Sequence, residues 1–79
     1  MSVDQTVRDR LKEKYGDELG DQLANLVQEC IDEGNTTSKK IEKCLKQKIK
    51  ERNLQEQVDE AQADAGDVAK TMAFWVTFG

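Results

Sequence analysis

The chain ends in Val68-Ala-Lys-Thr-Met-Ala-Phe-Trp-Val-Thr-Phe-Gly79, and this stretch decides whether the fold is self-contained or completed by a partner. Three of the four aromatic residues, Phe74, Trp75 and Phe78, lie here. Aromatic side chains carry the largest burial energies, and small proteins seldom leave several of them in water. The stretch is therefore predicted either to close the core of its own chain or to bind another protein.

Size and composition limit the architecture. With 79 residues the chain is one domain at most, and a domain of this size buries only a modest fraction of its surface. Charged residues make up 35% and mean hydropathy is -0.79, yet Leu, Ile and Val recur at helical spacing. Because proline is absent, we predict an all-α fold of three to four short helices in a small bundle that self-association could complete.

The same composition argues against catalysis. Histidine is absent, Cys30 and Cys44 cannot form a zinc site alone, and no Gly-rich phosphate loop or nucleophile motif occurs. We therefore predict a protein that is not an enzyme and needs no metal, cofactor or small-molecule substrate. The first residues lack a signal-peptide pattern, and the final apolar stretch is too short to span a bilayer, so we predict a cytoplasmic location.

Two amphipathic helices are predicted at the start of the chain. Ser2 or Asp4 caps the first helix, and Gly16 ends it. Asp17 is predicted as the N-cap of the second helix, in which Gly20 is a weak point of about 1 kcal/mol. The apolar stripes of the two helices are Val3, Val7, Leu11 and Tyr15, and then Leu19, Leu23, Leu26, Val27, Cys30 and Ile31.

A third helix follows a polar turn. Gly34 ends the second helix, and Thr36 or Thr37 caps the third. The apolar phase then slips, so that Asn53 either ends this helix or lies within a longer one. We divide the chain into a helical body at 1–53, an acidic marginal helix or linker at 54–67, and the C-terminal segment at 68–79. The stripe of the third helix is Ile41, Cys44, Leu45 and Ile49.

Charge is sorted along the chain. Residues 17–33 carry six acids and no base, residues 39–52 carry seven bases and two acids, and residues 53–67 carry five acids and no base. The simplest interpretation is that the acidic second helix packs antiparallel against the basic third helix.

The basic helix 38–52 could alternatively be the recognition helix of a helix-turn-helix-like DNA-binding regulator, with Ser38, Lys39, Lys40 and Lys43 at its start. The net charge of -4 and the absence of Arg, Asn and Gln near its beginning disfavour nucleic acid as the partner.

Cys30 and Cys44 are predicted on the inner faces of the second and third helices. A hairpin about the intervening turn would bring the two sulfur atoms within about one helical turn of each other. Two buried thiols that fill core space are the favoured interpretation, and a disulfide that clamps the hairpin is the alternative.

The C-terminal segment is the candidate site. In the functional interpretation it enters a groove on another protein or on a second copy of this chain. The protein would then be a regulator, inhibitor or assembly subunit. The candidate partner-binding residues are Val68, Met72, Phe74, Trp75, Val76 and Phe78.

A second alternative rests on a resemblance. A helical body, an acidic linker and a distinctive terminal peptide resemble the leader-plus-core arrangement of ribosomally made, enzyme-modified peptides. The stretch Ala73-Phe-Trp-Val-Thr-Phe-Gly79 is similar in composition to the cores of backbone N-methylated members. The resemblance covers these seven residues and implies a precursor peptide with a helical leader, whose core a partner enzyme modifies.

Overall fold

The computed structural model describes the backbone of residues 3–78 and the side chains of residues 3–72. Within these residues the chain is helical and contains no strand, which confirms the predicted fold class. The described chain has five helices rather than the predicted three to four, because residues 54–67 and the C-terminal segment both form helix in addition to the three helices before them. The helices of the described chain are α1 (Gln5–Tyr15), α2 (Asp17–Asp32), α3 (Ser38–Glu51), α4 (Gln55–Glu60) and α5 (Ala65–Phe78).

The four longer helices pack as a closed ring. Helix α2 packs against α1 and α3, and α5 packs against α3 and α1. Residues of every helix therefore contribute to a single core, and the short helix α4 connects α3 to α5. Most of the predicted stripe residues are buried there. The core consists of Val7, Leu11, Leu19, Leu23, Ala24, Leu26, Val27, Ile31, Ile41, Leu45, Ile49, Leu54, Val58, Ala65, Val68, Ala69 and Met72.

The predicted boundaries of α1 are confirmed, and the N-cap of α2 lies one residue earlier than predicted. Asp4 caps α1, because its carboxylate accepts a hydrogen bond of 3.0 Å from the Val7 N–H. Gly16 ends α1 in a left-handed conformation with φ of 99°. Gly16 is also the N-cap of α2, so Asp17 is its first helical residue rather than its cap. At that position its charge still favours the helix N-terminus.

Gly20 is the contact point between α1 and α2. A Cβ atom at this position would lie 2.5 Å from the Lys12 Cα and N atoms and 2.6 Å from the Leu11 carbonyl carbon. These are backbone atoms and cannot rotate away. The sequence indicated a weak point in α2, but the missing side chain is what allows the two helix backbones to approach each other.

Residues in the turns determine where α3 begins and ends and where α4 follows. Thr37 caps α3, with its hydroxyl accepting a hydrogen bond of 3.3 Å from the Lys40 N–H. Of the two arrangements left open by the sequence, the structure has the break: α3 ends at Glu51, and Asn53 follows with φ of 58°. The predicted marginal helix or linker contains the ordered helix α4, which Leu54 and Val58 attach to the core.

Candidate functional site

The first half of the predicted C-terminal site lies in the core of its own chain. Val68 and Met72 are each 1% exposed and Ala69 is fully buried, because α5 packs against α3 and α1. The Asp64 carboxylate holds the start of α5 by accepting a hydrogen bond of 3.2 Å from the Gly66 N–H. Another protein could therefore reach Val68 and Met72 only if α5 left the bundle.

The other candidate partner-binding residues are Phe74, Trp75, Val76 and Phe78, and their side chains lie outside the described residues. The helical backbone of α5 continues through them to Phe78. Among the helices of the described chain, none has the length and apolar character needed to cross a membrane.

One side of α3 is occupied by ion pairs with α2. The Lys48 ammonium lies 2.6 Å from a Glu33 carboxylate oxygen and 3.8 Å from Glu29, and Arg52 lies 2.7 Å from Glu29. The hydrogen bond to Glu33 raises the pKa of Lys48 above its ordinary value, and the negative charges of Glu33 and Glu29 act in the same direction. The predicted pairing of an acidic with a basic helix is confirmed.

A second side of α3 carries exposed positive charge. Lys39, Lys43, Lys46 and Lys50, here called the lysine stripe, follow one another at spacings of four, three and four residues and are all exposed. Lys46 pairs with Glu42 of the same helix at 3.2 Å. The other three lysines form no ion pair with any residue that the structure describes.

The positions proposed for DNA reading are only partly accessible. Lys39, Lys40 and Lys43 are exposed, whereas Ser38 is half-buried. Lys48 and Arg52 pair with Glu33 and Glu29, and Lys46 pairs with Glu42, so three of the seven bases in residues 39–52 already have an ion-pair partner within the chain. No arginine lies on the lysine stripe, and arginine is the side chain that makes bidentate contacts to phosphate.

Cys30 and Cys44 form a disulfide, which corrects the favoured interpretation of two free thiols. Their Cα atoms lie 5.9 Å apart across the α2–α3 hairpin. Cys30 is fully buried, whereas Cys44 is half-buried in a shallow depression that Lys40 and Lys43 also line. Spacing alone could not select this arrangement, because a stripe position fits a buried thiol and a buried disulfide equally well.

One depression of the described surface is acidic and shallow. It has a volume of about 550 Å³ and lies where the α1–α2 turn meets α4. Half-buried Tyr15 contributes its one aromatic ring, and Asp17, Glu18 and Glu60 contribute carboxylates. It contains no histidine, cysteine or lysine that could act as a nucleophile beside these carboxylates.

A smaller groove of about 240 Å³ lies between α3, α4 and the start of α5 and is here called the charged groove. Lys46 and Lys50 line it from α3, whereas Asp59 lines it from α4 and Asp64 from the position before α5. The sequence did not reveal this site, because its bases lie in residues 39–52 and its acids in residues 53–67, and no contact between these two segments was predicted. The charge sorting between residues 39–52 and 53–67 was the available signal.

The described residues contain no group of three or more Cys, Asp or Glu residues placed to hold a metal ion. The sequence matches no family model, and no curated protein or solved structure is significantly similar to it.

Proposed function

We propose that this protein is a small non-enzymatic regulator, inhibitor or assembly subunit that binds another protein through the end of α5. One observation carries the proposal: Val68, Ala69 and Met72 are fully buried within their own chain, and the aromatic residues come after the last of them. The bundle thus anchors α5 internally. The next two turns of the same helix then provide the hydrophobic residues for a partner.

Helical periodicity divides these final residues between two faces. Positions 75 and 76 follow Met72 by three and four residues, and therefore fall on the same side of the helical backbone as Met72. Positions 74 and 78 follow Lys70 by four and eight residues, and therefore fall on the side of the helical backbone that carries Lys70. We propose that Phe74 and Phe78 are the partner-binding anchors and that Trp75 and Val76 extend the core.

This division fits a common mode of recognition. A helix that inserts aromatic side chains into a groove gains most of its affinity from a few anchors near the centre of the interface. Each anchor of this kind contributes about 2 kcal/mol or more when it is fully buried. Two adjacent phenylalanines on one face would therefore dominate binding, while the rest of α5 holds them in position.

Site-specific photocrosslinking tests the proposal. A photoreactive phenylalanine analogue at position 78 is expected to capture a discrete partner in the cells that make the protein. Replacing Phe74 by serine in the same chain should reduce that capture by at least tenfold, because one anchor is lost. The matched control carries the analogue in place of exposed Lys14 on α1, and should capture nothing discrete. Equal capture from both positions would contradict the proposal.

The two alternative functions predict different results. A nucleic-acid-binding protein would be retained on DNA at low salt and released steeply as salt rises, because phosphate neutralisation supplies most of the affinity. A precursor peptide would gain mass within residues 73–79 on coexpression with its modifying enzyme. The net charge of -4 disfavours the first, and partner capture at position 78 without a mass change would favour the proposed function over the second.

A further inference from the structure

We infer that a second copy of this chain docks on the charged groove, with Lys46 and Lys50 of each copy against Asp59 and Asp64 of the other. The inference is independent of the proposed function, because it concerns α3 and α4 rather than the end of α5.

The groove combines an apolar floor with two charged sides. Ile49, Val58 and Ala65 form the floor and are between 2% and 7% exposed, so they already belong to the core. The two lysines belong to α3, whereas the two aspartates belong to α4 and to the position before α5, so the two charge types come from different elements. The surface therefore offers a partner little hydrophobic area, and recognition there must rely on charge.

The charges on both sides lack compensation within the chain. Lys50 forms no ion pair among the described residues, and Lys46 pairs only with half-buried Glu42. Asp59 and Asp64 each accept one hydrogen bond, from the Gln55 amide at 2.9 Å and from the Gly66 N–H at 3.2 Å. Neither aspartate lies within ion-pair distance of a described cation.

Adjacent patches of opposite sign are complementary to themselves. A two-fold axis through the charged groove would place the basic side of each copy on the acidic side of the other, so that every contact forms twice. A continuous polyanion would instead meet Asp59 and Asp64 as soon as it covered Lys46 and Lys50. Charge complementarity therefore favours a second copy over a nucleic acid or an anionic lipid surface.

Sedimentation equilibrium tests the inference on the full chain. A dimer is expected at about 0.01 M salt and a monomer at about 1 M, because screening shortens the reach of exposed charges about tenfold over that range. The Lys46→Glu/Lys50→Glu variant and the Asp59→Lys/Asp64→Asn variant should each be monomeric at low salt. Asparagine at 64 retains the oxygen that accepts the Gly66 hydrogen bond, so the start of α5 is kept.

Mixing the two variants provides the decisive result. Their opposite charges should restore a one-to-one heterodimer at low salt, which general destabilisation could not produce. The Lys14→Glu/Lys40→Glu variant has the same net charge as the lysine-side variant and should remain dimeric. A monomer at every salt concentration, or no heterodimer on mixing, would overturn the inference. A dimer lost only in Phe74→Ser/Phe78→Ser would also overturn it and assign the contact to α5.

Discussion

Replacing Gly20 by alanine is expected to lower the free energy of unfolding by about 3 kcal/mol, the upper range for overpacking a well-packed contact. Alanine is a better helix former than glycine, so propensity alone would predict a gain of about 1 kcal/mol. The Cβ would however lie 2.5 Å from the Lys12 backbone, and α1 and α2 would have to separate. Because domains of this size have roughly 5–10 kcal/mol of stability, the loss is a large part of the total.

Urea unfolding followed by circular dichroism measures this difference. The matched control is Asn25→Ala, a change to the same residue at an exposed position of the same helix, which should shift stability by less than about 0.5 kcal/mol. A Gly20→Ala protein as stable as the control would show that α1 and α2 do not approach each other as described.

Removing the disulfide is expected to have an effect of similar size. The bond joins residues separated by 14 positions, and a loop of that length predicts a loss of about 3 kcal/mol when the bond is broken. The Cys30→Ala/Cys44→Ser variant should therefore unfold at lower urea concentration than the oxidised protein. Alanine suits the buried position and serine the half-buried one.

Reduction of the unaltered chain is the control for this comparison. A dithiol reductant should destabilise the oxidised protein by nearly the same amount and should leave the double variant unchanged. If the reductant changed neither protein, the two cysteines would not be paired in solution. A disulfide in solution would argue against the predicted cytoplasmic location, because disulfides persist mainly in oxidising compartments.

The helices were predictable because their signals are local. Leu19, Leu23 and Val27 recur at helical spacing, and Asp4 and Gly16 are residue types that begin and end helices. The acidic and basic segments likewise predicted which helices lie side by side. The helix predictions depend only on residues that are near in sequence. The prediction of neighbouring helices depends only on the opposite charge of two segments.

The remaining features depend on contacts between distant residues. Gly20 has the same local sequence whether or not another backbone lies against it, so only the packed structure identifies its role. The charged groove forms only if Lys46 and Asp59 line the same depression, which depends on the geometry of the turn at Asn53. The burial of Met72 depends on where α5 packs, which the apolar composition of residues 68–79 left open.

The position of a single tryptophan on α5 tests the central claim most directly. The chain has one tryptophan, Trp75, and the variants Phe74→Trp/Trp75→Phe and Trp75→Phe/Phe78→Trp move it without changing composition. In dilute monomer, we predict blue-shifted emission shielded from acrylamide for Trp75, and red-shifted, readily quenched emission for both variants. Red-shifted emission from Trp75 together with shielded emission from either variant would contradict the assignment of Phe74 and Phe78 to the partner-binding face.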